Sequence, residues 1–129
     1  MPSQRVLIVE DDEPIRQTMR MILEDAGYIV DDAAEGMAAL AQLRASSDRM
    51  IVLTDLLMPI MDGEALLRIV AAEADLATRH AYLMVAAKVA PPPGVAELLD
   101  QLHASYVCKP FSLEELMTAV REAEARMAT

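Results

Sequence analysis

Five short apolar runs recur along the chain, each separated from the next by a stretch of helical periodicity. The runs are RVLIVE (Arg5 to Glu10), YIVDDA (Tyr28 to Ala33), MIVLTD (Met50 to Asp55), AYLMVA (Ala81 to Ala86) and SYVCKP (Ser105 to Pro110). The first, third and fourth are continuous, as in strands buried on both faces. YIVDDA is mixed and fits the edge of a sheet. Between the runs, Ile15, Met19, Ile22, Leu23 and Ala26 recur at helical spacing, with Asp12 as N-cap, Pro14 in the first turn and Gly27 at the end. Further helices are predicted over Met37–Ala45, Gly63–Ala74, Gly94–Ala104 and Leu113 to about Arg126. Ser112 and Glu115 form a capping box for the last, and Leu113, Leu116, Met117 and Val120 make its apolar stripe. Strand and helix alternate with short connections. This βαβ repetition predicts a single α/β domain over 1–129, a parallel sheet with helices on both faces. No internal repeat or linker interrupts it, and Pro91, Pro92 and Pro93 read as a stiff loop.

Composition narrows the class. A chain of 129 residues, 54% of them hydrophobic, can bury a core without disulfide or metal. The single cysteine, Cys108, forms no intrachain disulfide and fits a reducing compartment. No signal peptide stands at the start and every apolar run is too short to span a bilayer, so a cytoplasmic chain without membrane contact is expected. The net charge of −10 argues against a nucleic-acid surface. Most of the 21 acids read as solvated surface, and His80 and His103 as surface residues on or beside helices.

The informative acids end the apolar runs. Strand one closes on Glu10, Asp11 and Asp12, strand three on Asp55, and strand five on Lys109. In an open parallel sheet, ligands bind beyond the carboxyl ends of the strands. If strands one, three and five are close, several carboxylates and an ammonium meet there. Crowded carboxylates need a cation to stay ionised, and oxygen ligands suit Mg²⁺. Lys109 suits a phosphate oxygen. The competing reading of Glu10, Asp11 and Asp12 is that they cap the following helix and favour its dipole.

The segments LIVEDDEPIR, LTDLLMPIMDG and YVCKPF, in this order and spacing, resemble the three signatures of the receiver domain of two-component response regulators. The resemblance covers nearly the whole chain. It implies a flavodoxin-like three-layer α/β/α fold, a five-stranded parallel sheet in the order 2-1-3-4-5 with five helices. It implies that Asp55 is the phosphoacceptor, that Glu10 and Asp11 hold Mg²⁺ with Asp55 and the backbone carbonyl of Leu57, and that Lys109 binds a phosphoryl oxygen. The partners implied are a sensor histidine kinase or histidine phosphotransfer protein, facing the first helix and the surrounding loops, and a downstream protein target. A homodimer through the fourth helix, fifth strand and last helix is a further expectation. The chain would act as a phosphoacceptor and not as an enzyme on a diffusible substrate.

One element departs from the family pattern. The Ser or Thr expected at the end of strand four falls on Ala86, followed by Ala87 and Lys88. A methyl cannot donate to a phosphoryl group, and losing such a charge-assisted bond costs on the order of 1.5–3 kcal/mol in the phosphorylated state. The backbone N–H of Ala87 remains as a donor, and Tyr106 matches the aromatic partner of the same switch. Signalling by an altered route, through the Pro-rich loop, is one consequence. A degenerate receiver, acting as a scaffold or dimerisation module without phosphotransfer, is the alternative. A piece of a longer regulator or hybrid kinase is a third reading.

Overall fold

The computed structural model describes residues 4–127. Strands β1 (Arg5–Val9), β2 (Ile29–Ala33), β3 (Met50–Asp55), β4 (Ala81–Ala86) and β5 (Ser105–Cys108) form one parallel sheet in the order β2-β1-β3-β4-β5. The helices are α1 (Glu13–Asp25), α2 (Gly36–Ala45), α3 (Gly63–Ala72), α4 (Ala74–Arg79), α5 (Pro93–Leu102) and α6 (Leu113–Met127). Successive strand residues point to opposite faces. Leu7, Val9 and Val52 therefore join a core layer with Leu40, Leu66, Val70 and Leu99. Val6, Ile8, Ile51 and Leu53 join the other, with Met19, Leu23, Leu116 and Val120. This double burial is why β1, β3 and β4 read as continuous apolar runs.

The local signals act as their chemistry requires. Asp12 Oδ1 accepts the Ile15 N–H at 3.0 Å at the start of α1. At the end of α1, Gly27 takes φ 98°, which glycine adopts without a Cβ penalty. The Ser112–Glu115 box is reciprocal: the Glu115 N–H donates to Ser112 Oγ at 3.0 Å and the Ser112 N–H to Glu115 Oε1 at 3.2 Å. β2 lies at a sheet edge, as its mixed pattern predicts.

Three expectations are corrected. Among the described residues six helices form instead of five, because the helix expected through Ala74 breaks at Glu73, whose backbone is extended at φ −107°, ψ 100°. The turn lets α4 bury Leu76 and lead into β4, and Tyr82 donates its hydroxyl to the Leu76 carbonyl at 2.9 Å. His80 is not a surface residue: it is 4% exposed, and its Nδ1 accepts the Met50 N–H at 3.0 Å at the start of β3. Burial pushes its imidazole below the usual histidine range, and the Leu43 carbonyl offsets this in part. His103 is exposed and ends α5 with φ 55°. Leu113, placed on the apolar stripe of α6, is 59% exposed, so the buried stripe starts at Leu116. No helix among the described residues is long and apolar enough to cross a membrane.

Candidate functional site

The chain order places β1 and β4 on either side of β3, and β5 beside β4. The carboxyl ends of these strands therefore deliver Glu10, Asp55, Ala86 and Lys109 to one rim. One carboxylate oxygen from each of Glu10, Asp11 and Asp55 lies within 4.8 Å of the others. Lys109 Nζ is 3.1 Å from Asp55 Oδ2 and 3.9 Å from Glu10 Oε2. Asp55 is only 9% exposed, so its carboxylate sits at the rim of the core and under cover.

Glu10 is the strained member of this group. It is 3% exposed; its Oε1 accepts the Asp12 N–H at 3.2 Å, and its Oε2 is buried with no hydrogen bond. Burial first, and then the neighbouring Asp55 carboxylate, push the Glu10 carboxyl up to about 7, against the pull of the Asp12 N–H and Lys109. A buried oxygen with no hydrogen bond, its ammonium neighbour 3.9 Å away, beside two more carboxylates is the arrangement a divalent cation would relieve. The donor set, all oxygen with one exposed member in Asp11, fits Mg²⁺, which keeps part of its water shell.

The loop after Asp55 is held from both sides. The Leu56 N–H donates to the Val85 carbonyl at 3.0 Å, and the Gly63 N–H to the Leu56 carbonyl at 2.8 Å. A Cβ at Gly63 would lie 2.3 Å from the Asp55 carbonyl oxygen, so only glycine lets α3 start this close to the acceptor strand. Asp62 caps α3 by accepting the Ala65 N–H at 2.8 Å. Leu57 turns its side chain to solvent, at 66% exposure.

On the far side, Ala86 is buried and aligned with Cys108, and the Lys109 N–H donates to the Ala86 carbonyl at 2.7 Å. Lys109 is thus positioned by the same residue that lacks the hydroxyl. Tyr106 is half-buried and donates its hydroxyl to the Lys88 carbonyl at 2.7 Å, tying β5 to the loop that starts with Ala87. Glu10, Asp11, Asp55 and Lys109 are brought together as expected. Arg16 was missed: it donates to the Glu10 carbonyl at 2.9 Å and lies 3.7 Å from Asp32, fixing the end of β1 to α1 and β2. Its place one helical turn after the Asp12 cap was the available signal.

The family model of the response regulator receiver domain matches residues 6–121. The chain belongs to this family, whose domains accept a phosphoryl group in two-component signalling. It is 34% identical over 122 residues to the C4-dicarboxylate transport transcriptional regulatory protein DctD of Rhizobium meliloti (strain 1021), covering 94% of this chain and 25% of that protein. It is also 34% identical over 119 residues to the response regulator MprA of Mycobacterium ulcerans (strain Agy99), covering 92% and 49%. The chain therefore spans half or less of these relatives. Among solved structures, a CheY-like response regulator receiver domain protein from Methanospirillum hungatei JF-1 superposes with a TM-score of 0.82 at 29% identity, covering 98% of each chain.

Proposed function

We propose that Asp55 is the phosphoacceptor, that Glu10, Asp11, Asp55 and the Leu57 carbonyl hold Mg²⁺, and that Lys109 binds a phosphoryl oxygen. The observation behind this reading is the convergence of three carboxylates within 4.8 Å, with an ammonium 3.1 Å from Asp55. An Asp55 oxygen attacks the phosphorus of a phosphohistidine. The P–N bond breaks, the imidazole leaves with the electron pair and takes up a proton, and an acyl phosphate remains. Bound Mg²⁺ supplies neutralisation of the charge spread over the phosphoryl oxygens. Lys109, already poised on Asp55, follows the phosphoryl group as the carboxylate charge is consumed. Gly63 and Asp62 keep the acceptor strand and α3 in place. In phosphoryl transfer, positioning and electrostatic stabilisation are most of what a protein contributes. Water attack on the acyl phosphate later returns inorganic phosphate, so the chain acts as its own substrate.

The donor is a histidine kinase or histidine phosphotransfer protein and the setting is the cytoplasm, in keeping with the family and the free Cys108. Output passes through the face of α5, β5 and α6. A groove there is lined by Tyr106, Cys108, Glu114, Glu115, Thr118 and Glu122. Its charged residues are all acidic, so a basic segment of a target protein fits it better than a second copy of the same face.

The scaffold reading has one observation in its favour. The Tyr106 hydroxyl is engaged by the Lys88 carbonyl at 2.7 Å, next to an Ala86 that has no hydroxyl to offer a phosphoryl group. Intact mass after incubation with Mg²⁺ and acetyl phosphate separates the two. Phosphotransfer predicts a phosphate adduct on the wild type and none on Asp55→Asn. No adduct on the wild type, with Mg²⁺ binding shown independently, supports the scaffold.

A further inference from the structure

Ile60 breaks two rules at once. Its φ is 67°, in the left-handed region that β-branched residues avoid. The Met61 N–H donates to the Pro59 carbonyl at 2.8 Å, closing a three-residue turn around Ile60. A turn of this span with positive φ at its centre is the rare, strained form. Its side chain is also 95% exposed, so packing within this chain does not offset the strain. Glycine or asparagine would take the same backbone at little cost. A local outlier beside a reactive group is the kind of feature that function maintains.

The surroundings say what function. Of the eight large apolar side chains exposed among the described residues, six stand in the loops or first helical turns that follow the carboxyl ends of strands: Ile15, Met37, Leu57, Ile60, Val89 and Leu113. They lie at the Asp55 end of the sheet. Lys109, and Mg²⁺ when bound, act on the phosphoryl group itself, so holding the rest of a donor protein calls for a further contact. A small phosphodonor needs no apolar rim, whereas a protein carrying phosphohistidine must cover it.

We propose that Ile60 is a specificity-determining contact for the protein phosphodonor, held in a strained turn so that its side chain projects into an apolar patch beside the donor's histidine. This rests on the phosphotransfer reading above. Two variants separate contact from strain. Ile60→Asn relaxes the backbone and removes the apolar contact, whereas Ile60→Leu keeps an apolar side chain.

Each is compared with wild type in thermal midpoint, in labelling by acetyl phosphate, and in initial rate of transfer from every histidine kinase and phosphotransfer domain encoded in the same genome. For Ile60→Asn the midpoint rises by about 2 °C, acetyl phosphate labelling is unchanged, and transfer from the best protein donor falls about tenfold. Ile60→Leu transfers within about twofold of wild type. A wild-type transfer rate for Ile60→Asn overturns the contact, and a lowered midpoint overturns the strain. If acetyl phosphate labels Asp55 but no protein donor in the set does, this proposal fails and the acceptor assignment stands. If neither labels it, both fail.

Discussion

The two ends of the sheet are built from the same strands and treat their polar residues in opposite ways. At the amino ends, charges close on one another. Arg5 bridges Asp31 at 3.2 Å and Asp48 at 3.0 Å, Arg49 donates to the Met127 carbonyl at 3.0 Å, and His80 accepts the first N–H of β3. At the carboxyl ends, Glu10, Asp11 and Asp55 crowd together, Glu10 Oε2 has no hydrogen bond, and Ile60 is strained and exposed. The amino end pairs its charged groups with one another, though His80 Nε2 is buried there without a hydrogen bond. The carboxyl end instead crowds like charges, and on the proposed function a cation and a phosphoryl group would relieve that crowding.

Removing the ammonium that pairs with the acids of the carboxyl end tests this difference most severely. Lys109→Ala leaves the acids without an ammonium, and the rate of adduct formation with acetyl phosphate falls by about 100-fold in a mass-spectrometric time course. Next in size is the cation itself. Mg²⁺ at 100 times its Kd adds about 2.7 kcal/mol to the unfolding free energy from urea titration. Asp11→Ala loses most of that gain, while a change at the other end, Arg5→Ala, keeps it.

A smaller effect follows from restoring the missing donor. Ala86→Ser tightens binding of beryllofluoride, a tetrahedral phosphoryl stand-in, by about tenfold in isothermal titration calorimetry with saturating Mg²⁺. An unchanged affinity would mean that the backbone already meets the need.

The smallest effect belongs to the amino end. Burial lowers the His80 imidazole from 6.5, so the folded state resists a proton that the unfolded state accepts. The stability His80 contributes is complete above 6.5 and is lost as pH falls through its lowered folded value. The stability of wild type relative to His80→Asn, in which an amide oxygen takes over the Met50 N–H, therefore declines as pH drops below 6.5. A difference that does not change with pH would remove His80 from the account of that end.

How much of this was legible depended on whether the signal was local. The bounds of β3 and β4 follow from their apolar runs, and the Asp12 and Ser112–Glu115 caps follow from side chains that bond within three residues. The acid cluster was legible because strand ends in a parallel sheet share one edge. The break at Glu73 was not, because Ala-rich sequence favours a continuous helix and only the need to bury Leu76 ahead of β4 stops it. His80 was misplaced because its burial depends on β3, thirty residues away in the chain. Ile60 gave no warning because a β-branched residue is the wrong type for its turn, whereas glycine or asparagine would have announced it. The Tyr106–Lys88 bond was not legible either, because only the assembled β5 and its neighbouring loop define it.

The most direct test of the difference between the two ends is an amide NMR titration with Mg²⁺ and then beryllofluoride. The account predicts shifts at Glu10, Asp11, Asp55, Leu57, Ala86, Ala87 and Lys109, reaching Tyr106, with Arg5, Met50 and His80 unmoved. Shifts spread over both ends, or none at Glu10, Asp11 and Asp55, would contradict it.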